Sequence, residues 1–353
     1  MNYVGVDLHK EQSWFYVMDK TGKKISSKSI SNKPEILHEY FSTISKPFTL
    51  AVESTYNWYF FVDIAEQYAE EVFLANSYEL KAFAKRHKKT DKIDARLIAD
   101  VLRKGFLPTV TIADKNTRKM KEILHYRMKL VQDRSRNIYR VKNLLDKLGE
   151  DSTGDFTTYK RIRAVKTDHL SVFYQKALLG YIEQIEFINQ KIYQTKMFIK
   201  EQAEKDADIK NLILVPGLDY FSAALIKSEI IDIERFPTFN RLCAYAGLAP
   251  RVSQSGSKAA RHGSLNINRR KYLQWIIIEV SMHFIKASKE RSESYQFLKK
   301  RKGANTAKIT FSRKMLKVIY HILKEKRPYY SETTRVKNLT KIQSVATTAL
   351  CGV

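Results

Sequence analysis

The sequence predicts an α/β domain at the N-terminal end followed by a mainly helical remainder. Three observations predict it. Residues 2–8 (NYVGVDL), 13–18 (SWFYVM), 48–53 (FTLAVE) and 71–75 (EVFLA) are short apolar runs with β-branched or aromatic residues, which is the strand signature, and Lys23–Ile30 alternates well enough for a further strand. Helical spacing fills the gaps between the later runs, giving the order βββαβαβα, an α/β pattern with a hairpin start. From Asn116 to Leu148 the chain is charged, helically periodic and free of Pro and Gly.

Each element follows from local chemistry. Asp19-Lys20-Thr21-Gly22 turns the second strand into the third, and Pro34 suits the first turn of a helix. Helices are expected at about 58–69, 77–86 and 93–104, the last ending near Gly105 and Pro108. The Asn116–Leu148 helix has a basic face: Arg118, Lys119, Lys121, Arg127, Lys129, Arg134, Arg136, Arg140, Lys142 and Lys147. After a polar break, a second long helix is expected over 168–205. Its residues Leu178, Ile182, Ile185, Asn189, Ile192, Lys196 and Ile199 alternate 4-3 spacing, the a/d seam of a coiled coil. That seam fits a second chain, as in a dimer or tetramer, or an intramolecular hairpin; the heptad argument favours the second chain. Residues 211–230 read as helix, Pro216-Gly217 turn and helix, resembling a helix-hairpin-helix element whose backbone N–H groups hold phosphate. Any αα-hairpin could use Pro-Gly in the same way. Residues 235–275 are Gly- and Ser-punctuated, 272–288 and 307–325 are helical, and the tail beyond Pro328 is polar and loosely ordered. The expected division is 1–112, a helical connector 113–207, a C-terminal domain 208–328 and a tail 329–353.

Length and charge bound the function. A chain of 353 residues is too long for one small domain. The 63 Lys+Arg against 37 Asp+Glu give a net charge of +26, spread along the chain. Lys and Arg displace counterions from phosphates, so a nucleic-acid partner is expected. A membrane surface is the main competitor, but no apolar run approaches the roughly 20 residues that a spanning helix needs. Cys243 and Cys351 lack the spacing of a metal site or a disulfide framework, and the N-terminus has no signal-peptide h-region, so a reducing cytoplasm is expected.

Four acids stand out. Asp7 and Glu53 lie at the ends of apolar strands, where a charge is costly unless used. Asp91 and Asp94 are spaced i, i+3, on one helical face. Carboxylates on separate elements suit a two-metal site for Mg²⁺ or Mn²⁺, which acts on both the attacking and leaving oxygens of a phosphoryl displacement. Each acid also has an ordinary explanation: Asp7 capping a strand, Glu53 facing solvent, Asp91 capping its helix while pairing with Lys88 or Lys89. His9 and His87 lie near them without ligand-pair spacing and read as structural or phosphate-proximal. Further on, Arg251, Lys258, Arg261 and His262 surround Ser253, Ser255, Ser257 and Ser264. Serines and glycines beside basic residues let backbone N–H groups wrap a phosphate, although a flexible basic loop would look the same.

These residues together carry a resemblance. VGVDLHK at 4–10, AVESTYNWYF at 51–60, the stretch LANSYELKAFAKRHKKTDKIDARLIADVLRKGFLP at 74–108, LILVPGLDYFSAALIKSEI, and LCAYAGLAPRVSQSGSKAARHGSLNINRRKYLQW resemble the insertion-sequence "one-ten" family of DEDD transposases. The resemblance implies a RuvC-like, RNase H-like N-terminal domain joined by a coiled coil to a C-terminal transposase domain. It implies Asp7, Glu53, Asp91 and Asp94 as metal ligands. It implies a nucleophilic serine, Ser255, followed by Gly256, and a structured bridge RNA pairing with donor and target DNA. Tyr56 departs from the family, where glycine is common in the Glu-x-Thr-Gly stretch. Two other readings stand beside this one. A RuvC-type junction endonuclease would use the acids without Ser255, and a non-catalytic nucleic-acid-binding protein would use only the basic surface.

Overall fold

The computed structural model describes residues 1–83, 90–158, 162, 164–165, 168–253, 261–265 and 269–330. It divides into two compact units, Met1–Ala113 and Asp114–Val353.

The first unit is a six-stranded sheet with helices on both faces. Its strands are β1 (Asn2–Leu8), β2 (Gln12–Met18), β3 (Lys24–Ser31), β4 (Phe48–Glu53), β5 (Glu71–Ala75) and β6 (Thr109–Val110), in the spatial order β3-β2-β1-β4-β5-β6. β1, β2 and β3 form an antiparallel meander, whereas β4 lies parallel to β1 and β5 parallel to β4. β6 was not expected; two residues carry no periodic signal, yet they pair antiparallel with Leu74 and Ala75. The helices are α1 (Pro34–Thr43), α2 (Trp58–Ala65), α3 (Ser77–Leu80) and α4 (Asp91–Arg103). Pro34 opens α1 as its first turn predicts.

Strand alternation sorts the two faces. Val4, Val6 and Leu8 of β1, with Phe48, Leu50 and Val52 of β4, enter the larger core, where α1 and α2 add Leu37, Phe41, Phe61 and Val62. The intervening positions face α4. Ala51 packs with Ile98 and Leu102, and Tyr16 and Met18 with Ala95 and Ala99. Gly5 belongs to this second set. A Cβ there would overlap the Ala95 carbonyl and the Ala99 amide, so only glycine lets α4 lie this close to β1.

The second unit begins with α5 (Lys115–Lys147) and α6 (Val172–Ala203), two long helices packed against each other. Asp114 caps α5 by accepting from the Asn116 and Thr117 amides. The heptad seam expected on α6 is used within the chain: Leu178, Ile182 and Ile185 are buried with Val141 and Leu145 of α5, and Asn189 accepts from Arg134 at 3.1 Å. Lys196 is exposed and Thr195 is buried in its place. The departure is local, because the next seam residue, Ile199, is buried again.

The remaining helices are α7 (Ala207–Leu212), α8 (Tyr220–Ile230), α9 (Phe239–Tyr245), α10 (Lys271–Lys286), α11 (Lys289–Lys302) and α12 (Ala304–Glu325). All but α11 share one core centred on α8, in which nine of its eleven residues are buried, and Leu124, Ile199 and Ala203 of the long helices join it; Tyr295 of α11 packs in a smaller cluster with Ile285, Ala307 and Phe311. α11 was not foreseen, because its sequence KERSESYQFLKKRK buries only Tyr295. The strand pair β7 (Pro250–Ser253) and β8 (Arg261–Leu265) was not foreseen either; its runs are short and polar. Among the described residues, no helix is long and apolar enough to cross a membrane.

Candidate active site

In the first unit, β1 and β4 are parallel neighbours, and their register pairs Val6 with Val52. The next residues, Asp7, one before the end of β1, and Glu53, the last of β4, therefore lie side by side, on the face that α4 covers. The carboxyl ends of parallel strands are where open α/β sheets place ligands. α4 brings its first turn to the same place. Thr90, not Asp91, is its N-cap, accepting from the Ile93 amide. That frees the Asp91 carboxylate from capping and puts Asp91 and Asp94 in the first turn. Lys88, Lys89 and His87 lie outside the described residues.

His9 belongs to the site, which its i, i+2 spacing from Asp7 concealed. Its Nε2 is 3.2 Å from Asp7 Oδ2 and 3.5 Å from Asp91 Oδ1. Two amides hold the loop that carries it: Asn32 Nδ2 and Asn57 Nδ2 each donate to the His9 carbonyl at 2.8 Å. Asn32 is itself fixed by a 2.6 Å bond from Ser13 Oγ. Thr55 Oγ1 donates to Asn57 Oδ1, so the turn after Glu53 is ordered through Asn57 while Tyr56 points to solvent.

Charge is concentrated here. Asp7 is buried, and its pKa is pushed from 3.8 up to about 6, chiefly by burial. His9 opposes that shift, and Glu53, Asp91 and Asp94 reinforce it. Ligand atoms of Asp7, His9 and Asp91 lie within 4.8 Å of one another and could hold a metal ion. The donor set fits a divalent cation: carboxylate oxygens suit Mg²⁺ or Mn²⁺, and a buried anion repelled by three others gains from any cation placed among them.

In the second unit the basic face of α5 is divided. Lys119, Arg136 and Arg140 are exposed, Arg136 with Asp133 and Arg140 with Asn137 as neighbours. Arg118 is not on that face; it is buried, because the start of α5 lies against α8. Arg127 stacks over the Phe221 ring at 4.0 Å, Arg134 binds Asn189, and Lys142 donates to the Gly154 carbonyl. Gly217 adopts φ 96° and sits so close to α10 that a Cβ would press on His283 and the Val280 carbonyl. After the Pro216-Gly217 turn, Asp219 caps α8 in a reciprocal capping box with Ser222.

The serine block is described only at its edges. β7 and β8 pair Val252 with His262 and Ser253 with Arg261. Ser255, Gly256, Ser257 and Lys258 lie outside the described residues, and the side chains of Arg251 and Arg261 are likewise undescribed.

Known proteins share both regions. Residues 4–149 match the model of the IS110-type DEDD transposases, described as transposase, and residues 209–296 match that of the transposase IS116/IS110/IS902 family. The chain is 23% identical over 272 residues to the transposase for insertion sequence element IS1328 of Yersinia enterocolitica, covering 75% of this chain and 80% of that one. It is 22% identical over 344 residues to the transposase for insertion sequence element IS1111A of Coxiella burnetii, covering 92% and 90%. A pilin gene-inverting protein of Moraxella bovis is 23% identical over 303 residues, covering 82% and 84%. With the acidic cluster of the first unit inside one matched region and the strand pair β7–β8 inside the other, the chain belongs to the IS110 family of transposases, enzymes of DNA recombination.

Proposed function

We propose that this transposase cleaves and rejoins DNA strands with a divalent-metal site at Asp7, Glu53, Asp91 and Asp94 and with Ser255 as nucleophile. The observation that carries the reading is the meeting of Asp7, Glu53 and the first turn of α4 at the carboxyl ends of the two central strands. The strand order and the parallel β1–β4 pair are those that an RNase H-like, RuvC-like domain requires, and they support that assignment. Mg²⁺ or Mn²⁺ held by the four acids would supply positive charge at the reacting phosphate. His9 and the amides of Asn32 and Asn57 keep Asp7 and its loop in place.

Ser255 Oγ attacks the phosphorus; a serine–phosphate bond forms as the bond to the departing strand breaks, and the leaving oxygen takes a proton. Attack by a hydroxyl of the incoming strand then reverses the exchange, so the phosphodiester energy is conserved. Arg251, Lys258 and Arg261 lie near Ser255 in sequence and would stabilise the developing charge, and Gly256 lets backbone approach the phosphate. DNA affinity comes from Lys119, Arg136 and Arg140, with Arg127, Arg134 and Lys142 contributing where their intrachain partners release them. A structured bridge RNA selects donor and target DNA, as the family resemblance implies, and the reaction belongs to the cytoplasm. Val172, Leu179, Phe187, Tyr193 and Met197 form an exposed apolar stripe on α6, away from its intramolecular seam, and support a homo-oligomer.

The test is to trap the protein–DNA adduct with co-purified RNA and map the modified peptide. A DNA remnant on Ser255, lost in Ser255→Ala with nucleic-acid binding retained, is expected. A remnant on Ser253, Ser257 or Ser264 would move the assignment. Cleavage with no adduct would favour the junction-endonuclease reading.

A further inference from the structure

Glu229, near the end of α8, is buried and yet held below the ordinary carboxylate range. Burial alone would raise it; His125, Lys121 and Arg270 lower it. Lys121 Nζ lies 4.0 Å and His125 Nε2 3.6 Å from Glu229 Oε1, both reaching in from α5. Arg270 enters from the start of α10: its Nε donates to Tyr245 Oη at 2.8 Å, and that hydroxyl donates to the Glu229 carbonyl at 3.1 Å. Arg235 donates to the Ile230 carbonyl at 2.9 Å, and its guanidinium lies over the Tyr245 ring. Between these, Ile231 has φ 67° and ψ −71°, and the Asp232 amide bonds to the Ile230 carbonyl at 2.9 Å. This is a γ-turn of the rare, strained hand, unexpected for a β-branched residue. Strain of this kind concentrates at functional positions.

The charge does not balance. The charged groups acting on Lys121 are Glu229, Arg270 and Arg235, one anion against two further cations. Lys121 and Arg270, with His125 beside them, act on the one carboxylate of Glu229, so the group carries more positive than negative charge. His125 Nε2 stands just beyond hydrogen-bond reach of Glu229 Oε1, and its ring lies 4.6 Å from that of the exposed Tyr272. Tyr245 and Arg270, two members of the relay, bracket the serine block in sequence.

We infer that Lys121, His125 and Arg270, organised by Glu229 and Tyr245, bind a backbone phosphate of the nucleic-acid substrate. Glu229 acts as the spacer that holds the cations apart and aimed, and the phosphate completes the neutralisation. The inference rests on the DNA-processing reading above. It differs from a structural ion-pair cluster in one measurable respect, the counterions released on binding.

The experiment is a fluorescence-anisotropy titration of the full chain with a labelled DNA duplex across a salt series. Each phosphate contact contributes about 0.9 to the slope of log K against log salt. Lys121→Gln is expected to lower the slope by about that amount, Lys121→Arg to restore it, and Glu229→Gln not to lower it. An unchanged slope in Lys121→Gln, or an equal loss in Glu229→Gln, would overturn the site. Should Lys121→Gln fail to fold, Arg270→Gln gives the same readout with the same criterion. A flat slope in the unmodified protein would refute the DNA-processing reading itself, whereas a steep one untouched by these variants would remove only this site.

Discussion

Asp7→Asn separates what the carboxylate costs the fold from what it does for the reaction. In the metal-free protein the Asp7 pKa is about 6 against 3.8 when unperturbed. A folded state that raises an acid's pKa binds the proton more tightly than the unfolded chain does. The contribution of Asp7 to stability is therefore most favourable below about pH 4, falls as the pH rises towards 6, and carries the full cost above that. At 1.36 kcal/mol per unit, the shift corresponds to about 3 kcal/mol, and little discount applies because the side chain is only 7% exposed. Asparagine cannot ionise. The metal-free variant should therefore melt several degrees above the unmodified protein at neutral pH, and the difference should vanish near pH 4. Adding Mg²⁺ or Mn²⁺ should reverse the order at neutral pH, stabilising the unmodified protein alone, while strand cleavage is lost in the variant. Differential scanning calorimetry of the full chain, in chelator and then in metal, reads both effects. A variant less stable than the unmodified protein in chelator at neutral pH would refute the argument that burial and repulsion dominate Asp7.

Three further outcomes follow from the same geometry. Gly5→Ala should destabilise the first unit by about 1–3 kcal/mol or more through overpacking, and should weaken metal binding by calorimetry because it lifts α4 from β1. Glu53→Ala and Asp94→Ala should abolish cleavage in a gel assay while leaving DNA affinity within a fewfold; full activity in either would remove that residue from the site. Asn32→Ala should cost about 1–3 kcal/mol by leaving the buried Ser13 Oγ without its acceptor and the His9 carbonyl with Asn57 alone, read by chemical denaturation.

The first unit was legible because strand alternation and one-sided burial impose a period of two on β1, β2 and β4, and their bounds were read to within a residue. The acids were legible as charges at strand ends. His9, Asn32 and Asn57 were not, since their roles come from distant chain segments meeting at one carbonyl. The second unit was harder. The seam on α6 was recognised, but periodicity does not say whether its partner lies in the same chain, and here α5 supplies it. The basic face of α5 was drawn too uniformly, because charge alone does not show which arginines lie inward, as Arg118 does. α11 carries almost no apolar signal and depends on its neighbours to form.

The α5–α6 pair is anchored at two places rather than along its length. Leu124, Ile199 and Ala203 enter the main core, while Val141, Leu145, Phe156, Leu178, Ile182 and Ile185 make a separate one further out. Between them lie the buried Asn137 and the Arg134–Asn189 bond. At 1.5 Å per residue, α5 alone extends about 50 Å, so the outer core stands far from the root. Such a projection can change length without disturbing the body that carries it, provided both helices change together. Removing seven residues from each, in register, would shorten it by about 10 Å and keep the stripes facing. Removing them from one helix alone would shift every contact beyond the cut by about 10 Å along the axis. Length variation among related proteins should therefore occur here in paired steps, a constraint on the gene that arises from the geometry of two helices side by side.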